Sequence, residues 1–311
     1  MKVCTKICIW LGGLLLAAGV ILFVCAMTEK GWDFGTLNTL AYEQKEFTAQ
    51  EEITDIKIDF KVSKIEIVQD KDAQKLTCSY PVAKDLAADK RAEVTISEEN
   101  GVLHIAEKAL PFSPFRWNAH TPALTLSLPE SLNTLTVSTD VGDIDLEGLT
   151  DGKIQVKTES GNIVCRNVQA KEISLSAEFG NVAAENCTTE GAFVLLTDAG
   201  NIHMKDLKAE KVSASTSLGD ITLQGTLAAK EAAFSADTGD IDLSEGTADA
   251  EKLSFFSSLG DIRAILAGAR EEYAADVQWD LGDTNLYPST GGERTLTVRC
   301  DCGDIDIRFT E

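Results

Sequence analysis

A glycine followed by aspartate or asparagine recurs nine times toward the end of the chain, at Gly142, Gly161, Gly180, Gly200, Gly219, Gly239, Gly260, Gly282 and Gly303. The successive spacings are 19, 19, 20, 19, 20, 21, 22 and 21 residues. A unit of about twenty residues is too short to enclose a core of its own, so units this regular must stack and bury their apolar faces against one another. No other feature of the sequence restricts the fold as severely.

Aligning the units on the glycine shows what is buried. Ile144, Ile163, Val182, Ile202, Ile221, Ile241, Ile262, Thr284 and Ile305 stand two residues after it, and Val137, Val156, Leu175, Leu195, Ala214, Phe234, Phe255, Val277 and Val298 stand five before it. Apolar and polar residues alternate on each side of the glycine, which is the signature of strands with one buried face. The inward parity switches from odd to even offsets across Gly-Asp, so a corner must fall there. Glycine supplies the backbone freedom, and Asp or Asn bonds its own backbone. The prediction is an all-β fold, a parallel β-solenoid of about nine to ten turns preceded by one transmembrane helix. At about 4.8 Å per coil this is a rod on the order of 40 Å long. An antiparallel sandwich is the alternative, but it requires hairpins between neighbouring strands.

Ile7 to Met27 is an uncharged apolar run of 21 residues, preceded by Lys2 and Lys6. That length crosses a bilayer as a helix, and the lysines favour a cytoplasmic N-terminus. The competing reading is a cleaved signal peptide, since Val24 and Ala26 suit a cleavage site. The expected division is a membrane anchor over 1–28 (helix about 7–27), a linker over 29–50, a β-rich opening and capping region over 51–130, and solenoid repeats over 131–311. The body is then extracytoplasmic on a single-pass cell-membrane protein. A net charge of −22 excludes nucleic acid as a partner, because phosphates are repelled.

The candidate chemistry is acidic. The corner column holds Asp143, Asp220, Asp240, Asp261, Asp283 and Asp304, with Asn162, Asn181 and Asn201 between the first two. A second column, two residues before the glycine, holds Asp140, Glu159, Glu178, Asp198, Asp237, Asp280 and Asp301. Stacked carboxylates repel, and oxygen ligands suit calcium. A calcium column of Asp220, Asp240, Asp261, Asp283 and Asp304 with Asp237, Asp280 and Asp301 is therefore one expectation. Corner chemistry on a solvated acidic face is the other. Thr136, Ser138, Ser174, Ser176, Ser213, Ser215, Ser235 and Ser254 line the outward side of the strand before the corner, as a glycan-binding ladder or simply a soluble face. Leu110 to Trp117 concentrates aromatic residues, as a contact loop or a plug over the first coil. Cys300 and Cys302, two apart on a strand, face the same side. His104, His120 and His203 lie in no triad or zinc context.

The cadence S/T-x-x-G-[DN]-[IV]-x-[LV], as in Ser138 to Leu146, and the step Leu126-Ser-Leu-Pro129 resemble the bacterial putative-adhesin β-strand-repeat family, a domain of unknown function (4097), over roughly residues 51 to 311. The resemblance implies a non-enzymatic cell-envelope protein with no catalytic residues, and no cofactor is expected apart from the calcium that the acidic columns suggest. The function expected is a membrane-anchored exported rod whose rigid acidic surface serves adhesion or envelope-stress sensing through an envelope protein or wall polymer. Two alternatives are a polysaccharide-acting β-helix enzyme and an end-to-end filament former. The first is disfavoured because the units vary by only three residues in length, too little for cleft-building loops. The second rests on Phe309-Thr-Glu311, which follows the last unit and suggests an open strand edge for self-association.

Overall fold

Apolar residues at matching offsets of the repeat lie directly over one another. In the computed structural model, which describes residues 15–25, 27, 28, 31, 41–70, 72–84, 94–108, 121–129, 132–150 and 152–311, Ile144 pairs with Ile65 on one side and Ile163 on the other. The file continues through Val182, Ile202, Ile221, Ile241, Ile262 and Ile305, all in parallel register. Every member is at most 2 % exposed. The strands before the corner stack likewise, through Leu135, Ile154, Ile173, Phe193, Val212, Ala232, Leu253 and Leu296. Parallel strands buried this way need a covered second side, and the coil provides it by turning back on itself.

Two kinds of corner are marked by backbone that favours glycine, the second of them in five coils. At the first, the glycines take φ values from 125° at Gly282 to 158° at Gly200. A Cβ there would overlap the carbonyl oxygen of the corner residue one coil away, for instance that of Gly200 at Gly219. The close stacking of corners therefore requires glycine. The second corner falls six residues later, at Gly148, Asn167, Asn186, Asp206 and Gly225, with φ between 52° and 70°. Only Gly, Asn and Asp enter this left-handed region readily. Period-two patterning alone does not reveal it. Beyond it Cys187, Leu207, Leu227 and Ala248 form a further buried file.

The number of regular turns is about eight, not nine to ten. Strands lie on both sides of the corner at eight of the nine glycines, but Gly282 is followed only by an isolated bridge from Thr284 to Ile305. Ser63 occupies the corner of the opening coil, stacked against Gly142.

The order of coils in space departs from their order in the chain at both ends. Arg294–Cys302 lies between the second half of Ile241–Leu259 and the strand Tyr273–Leu281, so the last coil of the chain is inserted beneath the preceding one. At the other end Val102–Glu107 and Leu124–Leu128 lie outside Asp55–Val62 and Ile65–Gln69, which pair inward with Thr134–Val141 and Ile144–Glu147. The outer edge at this end is therefore Tyr273–Leu281 and not the last strand of the chain. Ile305–Phe309 is an inner strand, and its outer neighbours are supplied by Asp283 and Asn285, whose backbone bonds Ile305 while Asn285 Oδ1 accepts from Ile307 N–H. Ser289 closes the outer edge at Ala275 through two backbone bonds. The first coil is covered by antiparallel strands, Val94–Glu99 on Val102–Glu107 and Thr77–Ala83 on Leu124–Leu128.

Contacts divide the chain into two units, one of Met1–Glu43, Ala83–Arg91 and Leu110–Thr121, the other of Gln44–Val82, Ala92–Ala109 and Pro122–Glu311. The second carries the coils. In the first, residues 15–25, 27 and 28 are helical. Among the described residues no helix is long and apolar enough to cross a membrane. Residues 7–14 and 26 of the expected span lie outside the described residues.

Candidate functional site

The Gly-[Asp/Asn] edge carries the most distinctive side chains of the molecule. At the residue after the glycine, in every coil but that of Asp283, one side-chain oxygen accepts the backbone N–H of the equivalent residue one coil on. Asp143 accepts from Asn162 at 2.7 Å, Asn162 from Asn181 at 2.9 Å, Asn181 from Asn201 at 2.8 Å and Asn201 from Asp220 at 2.9 Å. Asp220 accepts from Asp240 at 2.9 Å, and Asp240 from Asp261, Asp261 from Asp304 and Asp304 from Asp283 at 2.8 Å each. Only a short side chain ending in an oxygen serves here, which explains why Asp and Asn alternate freely. The column is a ladder of caps for backbone donors that the turn leaves without a strand partner.

Inside the corner runs a second ladder. Three residues before the glycine, Thr158, Thr197 and Thr216 are buried and donate to the carbonyls of Gly142, Gly180 and Gly200 at 3.2, 2.8 and 2.9 Å. Ser257 donates to Gly260 O at 3.1 Å and Cys300 Sγ lies 3.4 Å from Gly260 O. Thr139, at the same offset, is a buried hydroxyl without such a partner, as is Ser63 at the corner of the opening coil. These inward hydroxyls sit at an offset whose polarity disguises it as an outward position, so the sequence pattern did not disclose them.

The calcium set separates into two roles. Asp220, Asp240, Asp261, Asp283 and Asp304 belong to the ladder, whereas Asp237, Asp280 and Asp301 are exposed on the strand before the corner. Among the described residues no three His, Cys, Asp or Glu side chains converge as a metal site requires. Arg263 partly neutralises the column, pairing with Asp240 at 3.3 Å and with Asp261.

Between the two acidic columns stands a feature that alternation conceals. The residue immediately before the glycine has inward parity, yet the chain has already begun to turn and the side chain points out. Val62, Val141, Phe179, Leu218, Leu259 and Leu281 occupy this offset and are 43 to 66 % exposed. Pairing places them in one file with Ser160, Ala199, Thr238 and Cys302 interposed. The result is a ridge in which large apolar and small residues alternate from Val141 to Cys302.

Other expected sites are placed less favourably. The hydroxyl row is interrupted, since Thr136 and Ser174 flank Gln155, Val194 separates Ser174 from Ser213, and Ala233 separates Ser213 from Ser254. Leu110 to Trp117 and His120 lie outside the described residues. His203 Nδ1 meets Thr222 Oγ1 at 3.0 Å, with no nucleophile or carboxylate completing a triad. Cys300 is buried and Cys302 half-buried on the same strand. The thiols of Cys165 and Cys187 lie 3.7 Å apart in the core, and this contact holds Cys165 well above the ordinary thiol range. Burial pushes the Cys78 thiol up to about 12. Glu107 also titrates above the usual carboxylate range, chiefly through burial, although it accepts from Lys61 and Val62 N–H at 2.8 and 3.1 Å.

Comparison with known proteins agrees with the repeat. Residues 53–308 match the family described as Toastrack DUF4097. No curated protein matches. A "putative adhesin" from Bacteroides fragilis is similar at 18 % identity and a TM-score of 0.48, covering 86 % of this chain and 97 % of that one. Another from Parabacteroides distasonis is similar at 16 % identity and 0.48, covering 87 % and 98 %. A "putative lipid binding protein" from the same species is similar at 18 % identity and 0.40, covering 87 % and 97 %.

Proposed function

Because the chain belongs to the Toastrack DUF4097 family, whose coils here carry an ordered exposed ridge, we propose that it is a non-enzymatic contact protein of the bacterial cell envelope. In this reading residues 1–28 anchor it in the cell membrane, 29–50 link, and the coils stand outside the cytoplasm, where they engage an envelope protein or wall polymer in adhesion or stress sensing. The observation that carries the reading is the ridge itself: six large apolar side chains held in solvent along one edge. Isolated exposed apolar residues are commonplace, but an ordered file of them marks a contact surface. The longest excursion near the C-terminus, residues 282–293, bonds the end of the stack at Ala275, and its Pro288, Ser289 and Thr290 border an open hollow of about 500 Å³ that no cluster of His, Cys, Asp or Glu lines among the described residues. The described N-terminal helix supports the anchor, since Leu15, Leu16, Val20, Ile21, Leu22 and Phe23 are all exposed, as side chains facing lipid are.

Crosslinking of intact cells expressing the full chain, followed by its isolation, tests this. Membrane fractionation with the coils open to external protease, and a captured envelope protein or wall polymer, are expected. A chain recovered in the cytosol, or protected from external protease, would overturn it.

A further inference from the structure

The ridge and its margins together specify a partner. On one side stand the exposed carboxylates of Glu159, Asp198, Asp237 and Asp301, none of which forms an ion pair within 4 Å among the described residues. On the other stands the corner ladder, where Asp220 and Asp304 use one oxygen for a backbone bond and leave the second to solvent. Glu178 and Asp140 are matched by Lys157 and Lys61, and Asp240 and Asp261 by Arg263, so the margin is acidic but not uniformly so. Along Phe179 to Leu259 the unpaired carboxylates are Asp198 and Asp237 on the strand side and Asp220 on the corner side, with neutral Asn181, Asn201, Ser217 and Ser258 between. An apolar line with this excess of negative charge at its margins complements an apolar line bordered by positive charge. It does not complement itself. Two copies packed ridge to ridge would bring acidic columns together in a chain of net charge −22, and like charges juxtaposed at an interface cost association.

The spacing narrows the choice further. Phe179, Leu218 and Leu259 stand on every second coil, with Ala199 and Thr238 as gaps between them. Two coils span about 9.6 Å. Seven residues of an α-helix span about 10.5 Å, so a helix laid along the ridge can seat one apolar residue per heptad in each gap. The mismatch of roughly 1 Å per heptad limits good register to about two heptads. An extended strand repeats a face every ~6.6 Å and finds no such register.

We propose that this ridge binds a cationic amphipathic helix of about two heptads, Phe179, Leu218 and Leu259 providing the apolar contact and the flanking carboxylates the charge pairing. The proposal rests on the coils serving as a contact surface but not on the membrane anchor or the compartment.

The test uses the full chain in detergent and a labelled synthetic peptide with leucine on one helical face and lysine on the other, with binding read by fluorescence anisotropy. Binding should weaken at least tenfold in Phe179→Ser/Leu218→Ser/Leu259→Ser, whose side chains are exposed so that the melting profile is retained. Asp198→Asn/Asp237→Asn should weaken it and flatten its salt dependence. A lysine peptide lacking the apolar face should bind at least tenfold more weakly. Equal binding of both peptides, or undiminished binding by the folded triple variant, would overturn the ridge as the site. If instead the peptide binds as expected but cells yield a cytosolic chain, the envelope reading fails and the ridge stands.

Discussion

At the scale of single residues, each Gly-Asp corner separates two demands. The glycine lets neighbouring corners approach until carbonyl and Cα are in contact, and the Asp or Asn caps the donor exposed by that turn. The acid thus has a structural role in the turn. Asp220→Asn keeps the acceptor and should leave stability within about 0.5 kcal/mol of the parent, as most surface changes do. Asp220→Ala removes it and should cost about 1 kcal/mol, the ordinary value of such a bond. Thermal melting distinguishes them. If Asn proves as damaging as Ala, or the melting point depends on calcium, then the charge itself matters and a bound cation regains its case. The inward files were legible because apolar residues fill two offsets of the repeat, with Thr284 the one polar exception. The ridge was not, since Val141, Phe179 and Leu218 continue the inward parity and only the corner geometry turns them out.

At the scale of elements, sequence order fails at the termini of the stack. The strand Arg294–Cys302 displaces Tyr273–Leu281 from contact with the coil of Gly260. Nothing in the repeat announces this, because each coil presents the same aliphatic pattern and any coil can lie on any other. The clue lies in the loop: residues 282–293 are long enough for the chain to turn back beneath its preceding coil, and Leu286, buried at 2 % exposure, fastens that excursion. Leu259 then lies opposite Cys302 and not Leu281. Neighbouring strands about 4.8 Å apart satisfy disulfide geometry. Leu259→Cys should therefore crosslink to native Cys302 under mild oxidation, shifting mobility on a non-reducing gel, and the shift should vanish with Cys302→Ser. Failure to crosslink, together with crosslinking of Leu259→Cys to Leu281→Cys, would restore simple chain order.

Across the whole molecule the same device acts at both ends. An outer coil is laid down out of order, then covered by antiparallel strands at the first coil and bonded at one point, Ala275 to Ser289, at the last. Unpaired parallel edges template aggregation, and here the outer strand Tyr273–Leu281 is bonded on its outer side at Ala275. The expectation of a bare C-terminal edge followed from the nearness of Glu311 to the last glycine and assumed that sequence and space agree. Repetition made the stack predictable because each coil repeats its neighbour, while the closures are single events without a pattern to read. The central claim is that coils advance by one strand spacing each, and it is measured most directly between outward positions of one file. Spin labels at Val141→Cys and Leu259→Cys, on a background with the other accessible thiols replaced, are six coils apart. Dipolar spectroscopy should return about 29 Å between their backbones, with Phe179→Cys and Leu259→Cys giving about 19 Å over four coils. Distances that do not scale with the number of intervening coils would contradict the stack.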